Sequence, residues 1–267
     1  MQLRFIRSLW KQQDVLLRLS EREVLGRYKG SMLGLTWSFI QPLLMLAVYT
    51  FVFSTVFKAR WGVSQQGGSL GFAINLFAGL IVFNLLAECL SKAPGLILAN
   101  PNYVKKVIFP LETLAFVNVA GATFHAGVSL IVLFLFQLIA FGKLSLTLFW
   151  LPLVWIPLLL GCLAASWLLS ALGVYLRDIG QIIGVAVSML MFMSPIFYPI
   201  SALPPGWQKA LGLSPLTHVI EQTRRVLVEG ELPSVKYLIA GTALSIAAAE
   251  LSFRAFQKSR KGFADVL

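Results

Sequence analysis

A predominantly apolar run over residues 33–57, interrupted chiefly by Gln41 and Pro42, constrains this chain more than any other feature. An α-helix rises about 1.5 Å per residue, so roughly 20 apolar residues cross the ~30 Å hydrocarbon core of a bilayer. The run exceeds that length and predicts a membrane-spanning helix that can tilt, or kink at Pro42.

Similar runs recur along the chain, which predicts a multi-pass membrane protein. Only 12% of the 267 residues are charged, about half the share of a soluble domain. We therefore predict an all-α fold, with residues 1–267 forming one transmembrane domain of six spans. The predicted spans cover residues 33–57, 70–90, 111–140, 148–176, 179–197 and 235–253.

The N-terminal 30 residues precede the first span and read as an interface segment. Apolar residues recur at helical spacing over residues 3–19, and basic residues occupy the remaining face. Such a helix lies on a membrane surface. Ser20 and Glu23 fit a capping box, which predicts that a second helix begins at Ser20. Gly26, Gly30 and Gly34 recur at every fourth residue and predict close helix packing before the first span.

Residues 199–233 form neither a span nor a polar loop. The segment is rich in proline but stays largely apolar, which is typical of interfacial or re-entrant structure. Ser214 and Pro215 form an N-cap and first-turn pair for a short helix. We expect short helices here, placed before the last span.

Basic residues indicate the orientation. With six spans, fourteen Lys and Arg residues fall on the side of the two termini and seven on the other. The positive-inside rule places both termini in the cytoplasm and residues 199–233 outside. The net charge of +11 is thereby explained as topological charge, without a nucleic-acid partner.

The sequence predicts a protein without catalytic activity. It contains no GxxxxGK[ST] phosphate loop, so any ATP is bound by another polypeptide. The sequence shows no partner for His125 or His218, and a histidine in a membrane helix usually bonds to a neighbouring helix. Glu88 and Lys92 are spaced to pair on one helix face, either as an ion relay or, more simply, as a structural pair. Carboxylates are otherwise scarce in the spans, which argues against proton-coupled transport.

Aromatic residues in the first and fifth spans have two interpretations. They face lipid, as most aromatic residues of membrane helices do, or they line a path on which sugar rings stack. The candidates for the second role are Trp37, Tyr49, Phe53, Phe57, Phe192, Phe197 and Tyr198.

Four separated stretches resemble one known family. They are RYKGSMLGLTWSFIQPLLMLAVYTFVFSTVFK, NPNYVKKVIFP, MFMSPIFYPISALPPGW and SPLTHVIEQTRRVL. Together they cover the chain in the order expected of the membrane subunit of ABC-2-type polysaccharide exporters, and are most similar to O-antigen permeases. Two departures are Ser214 before Pro215, where asparagine is expected, and the acidic approach at Glu21 and Glu23.

The resemblance implies a homodimer that works with two copies of a separate ATPase in the inner membrane. ATP and magnesium would be bound by that ATPase, so this chain carries no cofactor or metal of its own. The first and fifth spans would line a channel at the dimer interface for a lipid-linked glycan. The implied ATPase dock consists of Arg4, Arg7, Lys11, Asn100, Asn102, Tyr103, Lys105 and Lys106. The implied external gate contains Pro204, Trp207, Pro215 and His218.

Several alternatives stay open at this stage. O-antigen, capsule and teichoic acid all fit the resemblance as exported glycans. An ABC-2 permease for a drug or small lipid would share the fold and the ATPase coupling. A membrane-embedded scaffold for glycan assembly is the non-transport alternative.

Overall fold

The computed structural model describes residues 4–56, 68–105 and 109–266, and this part of the chain is helical and contains no strand. Phe57 and Lys106, named in the sequence predictions, and the first residue of the predicted surface helix over residues 3–19 lie outside the described residues. The helices are α1 (Arg4–Lys11), α2 (Gln13–Tyr28), α3 (Trp37–Thr50), α4 (Gly68–Lys92), α5 (Pro101–Lys105), α6 (Thr113–Phe141), α7 (Leu151–Tyr175), α8 (Ile179–Met193), α9 (Pro205–Leu211), α10 (Pro215–Arg224), α11 (Val235–Ser259) and α12 (Phe263–Val266).

Five helical segments within the described ranges are long and apolar enough to cross a membrane. They are Gly34–Phe53, Leu70–Gly95, Thr113–Phe141, Leu146–Tyr175 and Val235–Val266. The fifth predicted span coincides with α8, an apolar helix of 15 residues. Since about 20 residues cross the hydrocarbon core, α8 by itself is short, and a sixth crossing stays a prediction.

Helix α4 forms the centre of the fold. It packs against α3, α6, α7, α8 and α10, and most of its apolar stretch is buried. A helix that is apolar on all sides belongs in such a position. By contrast, α3 buries only Ser38 and Leu46, and α8 has no buried residue at all. Helices α3 and α8 therefore leave broad apolar faces uncovered.

The start of the chain differs from the prediction. The amphipathic segment is divided at Gln12 into α1 and α2, and α2 continues through Ser20. The predicted helix start at Ser20 is therefore wrong. The Glu23 carboxylate accepts a bond from Lys92 Nζ at 3.0 Å, and the buried Ser20 hydroxyl has no partner among the described residues, so no capping box forms between them.

Gly26 lies inside α2, whereas Gly30 and Gly34 lie between α2 and α3. An added Cβ at any of the three would meet no atom of the described residues within 4 Å, so the predicted packing of these residues is wrong within one copy of the chain. Gly30 has φ 88° and Gly34 has φ 49°. Side chains with a Cβ rarely adopt these values, and the two glycines allow the chain to turn into α3.

Polar contacts bring the two ends of the chain to one side of the helical bundle, here called the terminal face (α1, α5, residues 109–112 and α12). The Glu112 carboxylate accepts a bond from Ser8 Oγ at 3.0 Å and pairs with Arg260 Nη1 at 3.0 Å. Tyr175 Oη donates to the Ser259 carbonyl at 2.9 Å. The first helix, the α4–α6 connection and the C-terminus are thereby tied together.

The segment before α11 lies at the other end of α6 and α7, here called the distal end. It consists of α9, α10 and a π-helical turn at Arg225–Glu229, in agreement with the predicted short helices. Thr147 Oγ1 donates to the Val226 carbonyl at 2.6 Å, and Gln137 Nε2 to the Leu227 carbonyl at 2.9 Å. Ser214 is the N-cap of α10, although its side chain makes no capping bond.

Candidate functional site

The terminal face presents basic and aromatic side chains to the surroundings. Phe5 of α1 is buried against Trp167, with ring centroids 6.0 Å apart, and anchors the helix. Arg7 and Lys11 are exposed, and Trp10 is 75% exposed. A large exposed tryptophan beside basic residues is typical of a membrane-surface or partner-binding helix.

Helix α5 lies on the same face, packed against α12. Tyr103 stacks on Phe109 at a centroid distance of 4.1 Å. The Phe109 carbonyl accepts a bond from Arg260 Nη2 at 2.9 Å. Asn102 and Lys105 are exposed, while the Asn100 side chain donates to the Leu96 carbonyl at 2.9 Å.

The structure thus collects the described candidates for ATPase docking on one face. Arg4 begins α1, and Arg7 and Lys11 follow on the same helix. Asn102 and Lys105 extend outward from α5, whereas Asn100 and Tyr103 have local structural contacts. Their role in docking stays a prediction.

A cluster of charged side chains, here called the Glu88 cluster, joins α2 to α4 and α6. Glu88 Oε1 lies 2.7 Å from Arg27 Nη1 and 3.1 Å from Lys92 Nζ. The Nδ1 atom of His125 lies 3.1 Å from Glu88 Oε2. The predicted Glu88–Lys92 pair is confirmed, and the partners of His125 lie on neighbouring helices, Glu88 on α4 and Arg27, whose Nη1 is 3.0 Å from His125 Nδ1, on α2. Sequence spacing had no signal for Arg27, because it lies 61 positions from Glu88.

Two cavities adjoin this cluster and share Arg27 and Tyr28 in their walls. The larger, of about 1300 Å³, lies among α2, α5 and α6. The smaller, of about 450 Å³, extends along α3, α4 and α6 and includes Tyr49. Burial raises the pKa of Tyr28, partly offset by neighbouring Arg27, so its hydroxyl is neutral at physiological pH.

The candidate channel aromatics are divided between two places. Phe53 stacks on Phe72 at 5.3 Å and lies 6.3 Å from Phe197, which is 6.1 Å from Phe192. This row runs from the buried Phe72 to Phe192, which is 70% exposed. Tyr198 donates to the Phe192 carbonyl at 3.3 Å. The remaining described candidates are separate from the row, with Trp37 exposed and Tyr49 in the smaller cavity.

The gate candidates lie on α9 and α10. Pro204 precedes α9, and Trp207 on that helix is 60% exposed. Pro215 begins α10, and the exposed His218 lies 6.3 Å from the Tyr237 ring. Whether these side chains act as a gate stays a prediction.

Arg224 is a residue that sequence reasoning missed. It is 1% exposed and connects α10 to α4 and to the end of α8. Its Nε donates to the Asn75 carbonyl at 2.9 Å, Nη1 to the Pro195 carbonyl at 2.6 Å, and Nη2 to the Ile196 carbonyl at 2.8 Å. Burial lowers the pKa of Arg224 to about 10, so the guanidinium remains charged at neutral pH. In the sequence analysis Arg224 was counted only among the basic residues on the external side.

Comparisons with known proteins agree with this architecture. The family model for the ABC-2 type transporter matches residues 15–228. The chain therefore belongs to the ABC-2 type transporter family and is the membrane subunit of a transport system whose ATPase is a separate protein.

Similar relatives span nearly the full length of the chain. The O-antigen export system permease protein RfbA of Myxococcus xanthus is 25% identical, over 98% of this chain and 99% of its own length. RfbA of Klebsiella pneumoniae is 26% identical over 95% of both chains. The polysialic acid transport protein KpsM of Escherichia coli is 23% identical over 84% of this chain and 86% of its own.

Proposed function

We propose that this chain exports a lipid-linked polysaccharide of the O-antigen type across the inner membrane, through a channel formed by a homodimer. The observation that carries the proposal is the pair of uncovered apolar faces on α3 and α8, together with the phenylalanine row, which reaches the surface at Phe192 of α8. A second copy facing these helices would complete a passage lined by flat rings. The near full-length similarity to O-antigen export permeases supports the choice of substrate.

Six crossings with both termini in the cytoplasm are part of this proposal. Three residues separate the end of α7 from the start of α8, close to the terminal face. The carbonyls of Pro195 and Ile196 bond to Arg224, which also bonds to Asn75 near the start of α4. Helix α8 with the residues after it thus extends from one end of the bundle towards the other. This placement supports a short sixth crossing.

In the proposed mechanism, ATP-driven closure of two ATPase copies pushes on α1 and α5. Both helices connect to the bundle through Glu112 and Phe109, which Arg260 holds together. Helix α2 passes the motion to α4 and α6 through the Glu88 cluster. The resulting tilt of α3 and α8 would admit and then advance the glycan.

The dock is tested by reversing the charge of Lys105. We expect Lys105→Glu to lower glycan export by about tenfold or more, because charge mismatch in a partner interface costs several kcal/mol. Export is measured by immunoblot of surface glycan, and ATP hydrolysis is measured on the purified complex. Lys143→Glu is the matched control, since Lys143 is also exposed but lies after α6 at the distal end. Equal export by both variants would place the dock elsewhere.

The aromatic path is tested at Phe192. Because this side chain is 70% exposed, Phe192→Ala should change the free energy of unfolding by no more than about 0.5 kcal/mol. Each lost stacking contact with a flat ring is worth about 0.5–1.5 kcal/mol, so export should slow by several-fold. Phe149→Ala is the control, since Phe149 is 77% exposed and lies outside α3 and α8. Unchanged export in Phe192→Ala, and in Tyr49→Ala, Phe53→Ala and Tyr198→Ala, would contradict the sugar-stacking path.

Capsule or teichoic-acid export is the second candidate, and the relatives of the KpsM type favour it. A drug or small-lipid permease would not need the aromatic path, and a scaffold would not need ATP hydrolysis by a partner. Complementation of export mutants, with O-antigen and capsule scored separately, distinguishes these functions.

A further inference from the structure

Three basic or potentially basic side chains from three helices converge on one carboxylate. Arg27 of α2, Lys92 of α4 and His125 of α6 all lie within 3.1 Å of a Glu88 carboxylate oxygen. Glu23 contributes one further carboxylate, 3.0 Å from Lys92. Such an arrangement of donors around one anion is how proteins hold carboxylates and phosphates.

The two cavities both have Arg27 in their walls. The larger is lined by further basic residues, including Arg18, Arg22 and Lys29, against the acidic Glu21 and Glu23. The smaller has polar residues such as Gln41 and Asn84 in its wall, together with apolar side chains of α3 and α4, among them Met45, Leu80 and Ile81. Basic residues around Arg27 beside these apolar side chains suit a molecule with an anionic head and a hydrocarbon chain.

One buried polar atom of a residue in the wall of the smaller cavity lacks a bond within the described residues. The Nε2 atom of His125 has no hydrogen-bond partner, although its ring lines that cavity. Arg27 is 42% exposed at its side chain, so an incoming anion can reach its guanidinium. A buried polar atom without a partner is costly, and a ligand atom or water at this position would remove the cost.

We propose that the junction at Arg27 binds the phosphate headgroup of an amphiphile, and that Glu88 occupies the headgroup's place while the site is empty. This inference rests on the proposed function, since it names the part of a lipid-linked substrate that the chain recognises first. A phosphate offers more charge and more acceptor oxygens than one carboxylate and fits the guanidinium in a bidentate manner. Displacement of Glu88 would release α2 from α4. Binding of the headgroup would thereby be connected to movement of α1 and α2.

The test uses the complex with its ATPase in a neutral detergent, titrated with dodecyl phosphate. Arg27→Gln and Lys29→Gln should each weaken binding, the first by about tenfold, because a charged donor to phosphate is lost. Glu88→Gln should tighten binding by several-fold, because the internal competitor is neutralised. Binding is measured by calorimetry after each variant has been shown to melt cooperatively.

A second arginine–glutamate pair provides matched controls. Arg225 and Glu231 also lie 2.7 Å apart, at the distal end. Arg225→Gln and Glu231→Gln should leave the affinity for dodecyl phosphate unchanged. The opposite effects of Arg27→Gln and Glu88→Gln distinguish a ligand site from a structural ion pair, for which both variants would act in the same direction.

Three outcomes would overturn the inference. Weaker or equal binding in Glu88→Gln would show that Glu88 does not compete with the headgroup. Inorganic phosphate binding as tightly as dodecyl phosphate would show a site for a free anion, and dodecanol binding as tightly would show a site for the chain alone.

Glycan export in cells is scored separately. A positive binding pattern without glycan export would reject the proposed function, whereas export with binding insensitive to Arg27 would reject only this site.

Discussion

Replacing Gly173 with alanine should destabilise the fold so strongly that little folded protein is recovered from the membrane. Gly173 lies in α7 where this helix crosses the short 3₁₀ turn Ala93–Gly95. A Cβ at Gly173 would overlap the Pro94 carbonyl oxygen and lie 2.8 Å from the carbonyl carbon. Overpacking usually costs about 1–3 kcal/mol, and we expect at least the upper end because backbone atoms cannot rotate away. The melting temperature and the yield from membranes measure the effect.

Gly161 offers a control in the same helix. An added Cβ there would meet no atom of the described residues within 4 Å, and alanine favours a helix over glycine by up to about 1 kcal/mol. Gly161→Ala should therefore melt at the same temperature as the parent protein or higher. If Gly173→Ala melts at the same temperature as Gly161→Ala, the approach of α7 to Pro94 is looser than the structure indicates.

Replacing Arg224 should have a comparably large effect. Its guanidinium supplies bonds to the carbonyls of Asn75, Pro195 and Ile196. Arg224 reaches these three carbonyls with three separate nitrogens, whereas the lysine side chain has a single nitrogen and cannot lie within bonding distance of all three. Each buried acceptor left without a bond costs about 1–3 kcal/mol. We expect Arg224→Lys to lower the free energy of unfolding by about 3 kcal/mol or more and to abolish export. Thermal melts of the purified complex and a surface-glycan assay measure the two effects.

Gly79→Ala tests the same contact from α4. The added Cβ would lie 2.7 Å from Arg224 Nη2 and would push the guanidinium out of its bonds. Arg225→Lys is the neighbouring control, since Arg225 has 41% side-chain exposure and pairs with Glu231. Surface pairs contribute about 0–1 kcal/mol. Equal melting temperatures for Arg224→Lys and Arg225→Lys would contradict the bridging role of Arg224.

Hydropathy predicted the helical class and six spans, five of which coincide with long apolar helices of the described residues, because length and apolarity are local properties. The same is true of the short helices before α11, which proline and serine signals indicated. The start at Ser20 was predicted wrongly because Glu23, needed for the cap, pairs with Lys92 on another helix. Local propensity had no information about that competing partner.

In the candidate site, too, the sequence predicted the features that depend on neighbouring residues and missed those that depend on tertiary contacts. Exposed basic residues of α1 and α5 were visible as a pattern, and the structure places them on one face. The Glu88 cluster was visible only as the pair of Glu88 and Lys92, because i and i+4 spacing is local. Arg27 and His125 join it from α2 and α6, and no spacing rule connects residues so far apart in the chain.

The sequence by itself determined that this chain is a helical membrane protein of the ABC-2 type. Span length, charge distribution and short motifs depend on neighbouring residues, and the bilayer acts on each span separately. Only the tertiary structure decided that Arg224 bridges three segments, that Gly173 must lack a side chain, and that Arg27 meets Glu88 beside two cavities. These features depend on which helix faces meet, and that is set by packing of the whole bundle.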